Sequence, residues 1–93
     1  VDAVNLTLAH VNVNGLTTKH LAELVIHLGL LNLPIFVAIT ETKLDKTTKR
    51  IIIPGYSLVS RRDRSHNGDS HGGGGIALFA RTDFVMCVAT LQN

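Results

Sequence analysis

Five consecutive apolar residues, Ile35-Phe36-Val37-Ala38-Ile39, lead straight into Thr40-Glu41-Thr42-Lys43, and this junction constrains the fold more than any other stretch. Pro34 closes the run on its N-terminal side, and the run is far too short to cross a bilayer. Its length and flanks predict a strand buried on both faces. Glu41 then falls at or just past the C-terminal end of that strand, where open sheets present ligands and chemistry. A glutamate there can equally be a plain strand exit into solvent. The surroundings decide between the two.

At 93 residues the chain makes at most one small domain. Such a domain buries roughly 60–65% of its unfolded surface, enough to fold with little margin. The opening Val1-Asp2-Ala3 is not a basic-then-apolar leader, and no tract is long enough to span a membrane. We therefore expect a soluble chain with no membrane partner. Cys87 is the single cysteine, which rules out an intramolecular disulfide and is compatible with a reducing compartment. Asn5-Leu6-Thr7 spells a glycosylation acceptor but lies inside a strand pattern, and it is discounted. A formal charge of +2 names no partner. The placement says more, because Lys43, Lys46, Lys49 and Arg50 cluster after the Glu41 strand and Arg61, Arg62 and Arg64 cluster later. Two basic clusters near one carboxylate suit an anionic substrate.

Val4, Leu6 and Leu8 alternate and Val11 and Val13 continue on the other parity, predicting a strand from about residue 3 to 13. It ends at Asn12-Val13-Asn14-Gly15, and in an extended chain the two asparagines project to one side. Two amides there can orient a phosphate or a water, and they can equally cap the following loop. Leu21, Leu24, Val25, Leu28 and Leu31 share one face of a helix predicted over residues 18–31, with Thr17 or Thr18 as its N-cap. Asn32 and Pro34 close it. Ile26 and Leu30 make the opposite side greasier than a solvated face needs, and His20 and His27 read as surface histidines. Residues 44–50 read as a connecting loop, and Ile51-Ile52-Ile53 as a short apolar segment before a Pro-Gly turn. Strands are expected over Tyr56–Arg62 and Ile76–Arg81, forming a hairpin around a long mobile loop at residues 63–75. A last strand is expected over Phe84–Leu91, with Cys87 inert inside it.

Four glycines at 72–75 are not a phosphate loop, because no Lys-Ser or Lys-Thr follows and Ile76-Ala77-Leu78-Phe79 is strand-like. A glycine run entering a strand marks a bulge or a close backbone approach instead. His66 and His71 with Asp63 and Asp69 match no zinc spacing.

The order of features is then strand, Asn12-Val13-Asn14-Gly15-Leu16, helix, and a buried strand ending Thr40-Glu41-Thr42-Lys43-Leu44. It resembles the N-terminal part of the endonuclease/exonuclease/phosphatase superfamily of DNase I-like enzymes. Ile53-Pro54-Gly55-Tyr56, then Arg62-Asp63-Arg64, then the glycine run into Ile76-Ala77-Leu78-Phe79, look like the endonucleases of LINE-type (non-LTR) retrotransposons. Asn14 also resembles the retrotransposon version, where apurinic enzymes tend to carry Asp. The resemblance spans about residues 4 to 81.

What it implies is an α/β fold, the DNase I-like four-layer α/β sandwich, with residues 1–93 supplying an incomplete, N-terminal portion of one domain. It implies a metal-binding role for Glu41, a catalytic role for Asn12 beside it, and phosphate or substrate contacts for Asn14 and Lys43. The implied cofactor is Mg²⁺ or Mn²⁺, a hard cation that takes one or two carboxylates with phosphate oxygens and waters. The implied function is DNA nicking for target-primed reverse transcription in the nucleus, in an intact protein carrying a downstream reverse transcriptase. In the family the water-activating Asp, its partner Asn and the terminal Asp-His pair lie further along the chain. The 93 residues alone are therefore expected to be inactive. Two alternatives stay open: an apurinic endonuclease or small phosphoesterase of the same superfamily, and a non-catalytic remnant that binds nucleic acid weakly.

Overall fold

The computed structural model describes residues 6–45, 47, 50–63 and 74–91. Along the chain these form β1 (Leu8–Asn12), α1 (Thr18–Leu30), β2 (Phe36–Thr40), β3 (Tyr56–Arg62), β4 (Ile76–Arg81) and α2 (Thr82–Leu91). The strands make one mixed sheet in the order β1-β2-β4-β3. β1 lies parallel to β2 with Asn12 beside Thr40, while β4 runs antiparallel to both β2 and β3. The result is a small mixed α/β domain. No helix among the described residues is long and apolar enough to cross a membrane.

α1 starts where Thr17, in an extended conformation, accepts the His20 N–H on its hydroxyl at 3.1 Å. That bond satisfies one of the donors a helix N-terminus leaves unpaired. The helix stops through left-handed residues Asn32 and Leu33, whose N–H groups return to Gly29 O and Leu28 O. Such a closure usually takes glycine at the first position and accepts asparagine as substitute. Leu24 and Leu28 from its inner face pack on Val37 and Ile39 of β2, Ala77 and Phe79 of β4, and Ile53 from the segment before β3. One face of the sheet is thereby covered.

The other face is only partly covered. β2 is fully buried at Val37 and Ile39 but half-buried at Phe36, Ala38 and Thr40, so burial on both faces holds for one face alone. Phe84 of α2 meets Phe36 edge to face at 5.4 Å, and no residue of α2 is buried.

The segment expected as a last strand, Phe84–Leu91, is the body of α2. Phe84, Val88 and Leu91 fit helical spacing as well as Phe84, Met86 and Val88 fit alternation, and a run of this length is ambiguous. The sheet decides the matter. Arg81 pairs with Tyr56, its N–H reaches Ile35 O, and the Thr82 N–H reaches Gly55 O. One step further, the neighbouring strands become the Pro54-Gly55 turn and Pro34, which lacks an N–H, so the ladder has no partner left. Asp83 then takes the Phe84 N–H and the Arg81 guanidinium on its carboxylate, in the first turn where negative charge is favoured. Hydrogen bonding to Arg81 holds the Asp83 carboxyl below its ordinary value. Cys87 accordingly sits exposed on a helix, not inside a strand.

The strand predicted from residue 3 is described from Leu8, with residues 1–5 outside the described set. The hairpin strands occupy their predicted bounds, with a register shift between Leu58 and Ser60. The long loop expected between them, with His66, Asp69 and His71, lies almost wholly outside the described residues, as do Lys46, Lys49 and Arg64.

Candidate functional site

Because β1 and β2 are parallel and in register, both strands deliver their C-terminal ends to the same edge of the sheet. Chains leaving there carry side chains into the space beyond a parallel pair. The two exits stay zipped together past the strands. The Val13 N–H bonds Thr40 O at 3.1 Å, the Gly15 N–H bonds Glu41 O at 2.7 Å, and the Leu16 N–H bonds Thr42 O at 2.8 Å. These bonds bring the backbone of Asn12 and Asn14 alongside that of Glu41 and Lys43, so the four residues singled out in the sequence lie at one edge of the sheet.

Their side-chain roles divide unevenly. Asn12 is exposed and its Oδ1 accepts the Asn14 N–H at 3.2 Å, a local turn of the kind expected from an asparagine cap. Asn14, with φ 48°, takes the Lys43 ammonium on Oδ1 at 2.7 Å. Glu41 accepts the Gly74 N–H on Oε2 at 2.9 Å, and among the described residues no partner takes Oε1.

The backbone here is unusual. Glu41 and Lys43 both adopt positive φ, 57° and 56°, on either side of Thr42. A non-glycine residue in this region costs on the order of 1–2 kcal/mol, and such outliers cluster at functional sites. Thr42 itself is 2% exposed, and its hydroxyl has no hydrogen-bond partner among the described residues.

Three features escape a sequence reading. His10, on the same sheet face as Asn12, meets the Thr40 hydroxyl through Nε2 at 3.1 Å. His20 is half-buried and its Nδ1 bonds Gly15 O, so it props the loop between β1 and α1 and is not a free surface histidine. Thr42 and Gly75 are packed against one another. Only the last had a signal, the glycine run, and it did not say which glycine or what it approached. An open groove of ≈ 490 Å³ lies between β1 and α1, lined by Val11, Val13, Leu24, His27 and Leu31 together with Asn12. Glu41 does not line it, so groove and carboxylate are separate features.

A divalent cation is the group the resemblance implies, and the donors present suit one. Among the described residues Glu41 keeps one carboxylate oxygen without a partner, and Mg²⁺ is commonly held by one or two carboxylates with waters and phosphate oxygens. Among the described residues no group of three or more His, Cys, Asp or Glu side chains converges as a self-sufficient metal cage. Lys43 places a positive charge at the same edge, its ammonium held by Asn14 Oδ1. Compared with known proteins, the chain matches no family model and no curated protein.

Proposed function

We propose that this chain carries part of the active site of a Mg²⁺- or Mn²⁺-dependent phosphodiesterase, a DNA endonuclease with the DNase I-like fold of LINE-type retrotransposon enzymes. The observation that carries the reading is the convergence of Asn12, Asn14, Glu41 and Lys43 at the C-terminal ends of two parallel, in-register strands, on a strained backbone. Glu41 would hold the cation through Oε1, while Gly74 fixes the other carboxylate oxygen. Asn12 would orient a phosphate oxygen without adding negative charge. Lys43, kept in place by Asn14, would balance the charge of the diester. When bound, the cation stabilises charge developing on phosphoryl oxygens. The DNA partner, a downstream reverse transcriptase and a nuclear location all belong to this proposal.

In the intact protein, Glu41→Gln is expected to reduce metal-dependent nicking of supercoiled plasmid by at least about a hundredfold, the scale of losing a preorganised electrostatic contact. Undiminished nicking by that variant sinks the assignment. The 93 residues by themselves are expected to bind the cation weakly and to leave the plasmid intact, because partial sites fall far short of additive activity.

A further inference from the structure

Glu41 is held by a residue 33 positions away, and that contact depends on a second glycine. Beyond the end of β2 the chain pairs with Gly74 and Gly75 in place of a regular strand. The Lys43 N–H bonds Gly74 O at 2.9 Å, the Thr42 N–H bonds Gly75 O at 3.3 Å, and the Gly74 N–H returns to Glu41 Oε2 at 2.9 Å. Gly75 has φ +95°, and a Cβ placed on it would lie 2.3 Å from the Thr42 hydroxyl oxygen and 3.2 Å from the Lys43 nitrogen. Thr42 has little room to yield, being 2% exposed between two left-handed neighbours. No L side chain fits at position 75, and any that entered would push residues 74–75 away from 41–43.

We propose that Gly75, seated on Thr42, is a positioning residue for Glu41: lacking a side chain, it lets the Gly74 N–H fix one carboxylate oxygen and leaves the other for the cation. The inference rests on the reading of Glu41 as the metal ligand. Gly75 touches neither metal nor substrate and acts through the backbone it brings near. Fixing one oxygen removes rotational freedom from the carboxylate before a metal arrives. Outer contacts of this kind are typically worth about 10–100-fold in metal affinity.

Titration of the ¹⁵N-labelled 93-residue chain with Mn²⁺, read by amide line broadening, tests this. In the unaltered chain broadening is expected to centre on residues 41–43 and 74–75. Gly75→Ala should raise the half-saturating Mn²⁺ concentration by at least about tenfold while the α1 and sheet resonances keep their positions. Adding Thr42→Ala, which removes the atom at 2.3 Å, should recover part of that loss. Thr42→Ala alone should bind as the parent does. A folded Gly75→Ala chain that binds Mn²⁺ like the parent overturns the inference, provided Glu41→Gln abolishes the broadening. Broadening that survives Glu41→Gln removes the metal-ligand reading itself. If Gly75→Ala does not fold, the Gly74 amide decides: its proton should move upfield in Glu41→Gln, as a charge-assisted bond weakens. A Gly74 amide indifferent to that change overturns the inference equally.

Discussion

At the scale of single residues, Tyr56 joins two strands through its side chain. Its hydroxyl donates to the carbonyl of buried Pro34, joining the start of β3 to the entry of β2. Burial raises its pKa above the ordinary value, Arg81 pulls it back down, and Asp83 adds a smaller upward push. The sign follows directly. The folded chain holds the phenol proton more tightly than the unfolded chain, so this contribution is intact below the unfolded value of about 10. It is lost as pH rises through the folded value. Stability should therefore fall on the alkaline side, and Tyr56→Phe should flatten that fall. The same variant should cost about 1 kcal/mol near neutrality by leaving Pro34 O without its donor. With one tyrosine and no tryptophan in the chain, tyrosinate absorbance follows this group alone. A Tyr56 titration identical in folded and urea-unfolded chain would refute the argument.

At the scale of elements, the two helices have opposite standing. α1 buries Leu24 and Leu28 in the core and is closed at both ends, whereas α2 buries nothing and is held by the Phe84–Phe36 contact, the Ser57–Thr82 hydroxyl bond and the Asp83 carboxylate. The Arg81–Asp83 ion pair adds little, since Asp83 is largely exposed. Local opening follows buried contact, so α2 amides should exchange with solvent well ahead of those of α1 in native-state hydrogen exchange. Equal protection in the two helices would contradict this ranking. The contrast also marks what the sequence makes legible. α1 is written in it by the spacing of Leu21, Leu24, Val25 and Leu28 and by Thr17, Asn32 and Pro34, all of them local signals. The hairpin is likewise readable from two alternating runs. α2 is not, because its periodicity suits both structures and the deciding fact, the exhaustion of sheet partners at Pro34 and Gly55, is tertiary. The site divides in the same way. The run into Glu41 and the Asn12-x-Asn14-Gly15 turn are visible in sequence, while the left-handed backbone at Glu41 and Lys43 and the reach of Gly74 to Glu41 depend on chain segments far apart.

At the scale of the whole molecule, the sheet is protected at one edge and open at the other. β3, on the outside, carries a register shift at Leu58/Ser60 and ends in Arg61 and Arg62, both of which discourage pairing with another strand. β1, on the opposite edge, pairs among the described residues with β2 alone and has no proline, lysine or irregularity. The Phe36 N–H bonds Thr7 O and the Val13 N–H bonds Thr40 O, so odd-numbered residues turn their backbone groups toward β2. Leu8, His10 and Asn12 turn theirs outward. Beside that edge the partly covered sheet face presents Leu8 at 65% exposure and Ile76 at 46%, and Met86 and Leu91 of α2 are exposed as well. An open edge next to an apolar face is a template for association. The chain should therefore associate with rising concentration across about 10 μM to 1 mM, the range in which exposed edges and apolar surface cause aggregation. Leu8→Lys should suppress this, since a lysine on an edge strand opposes pairing while the exposed position leaves the core untouched. Sedimentation equilibrium reads both chains directly. An unaltered chain that stays monomeric over the whole range, or a Leu8→Lys chain that associates just as strongly, would show that β1 is not the edge through which copies meet.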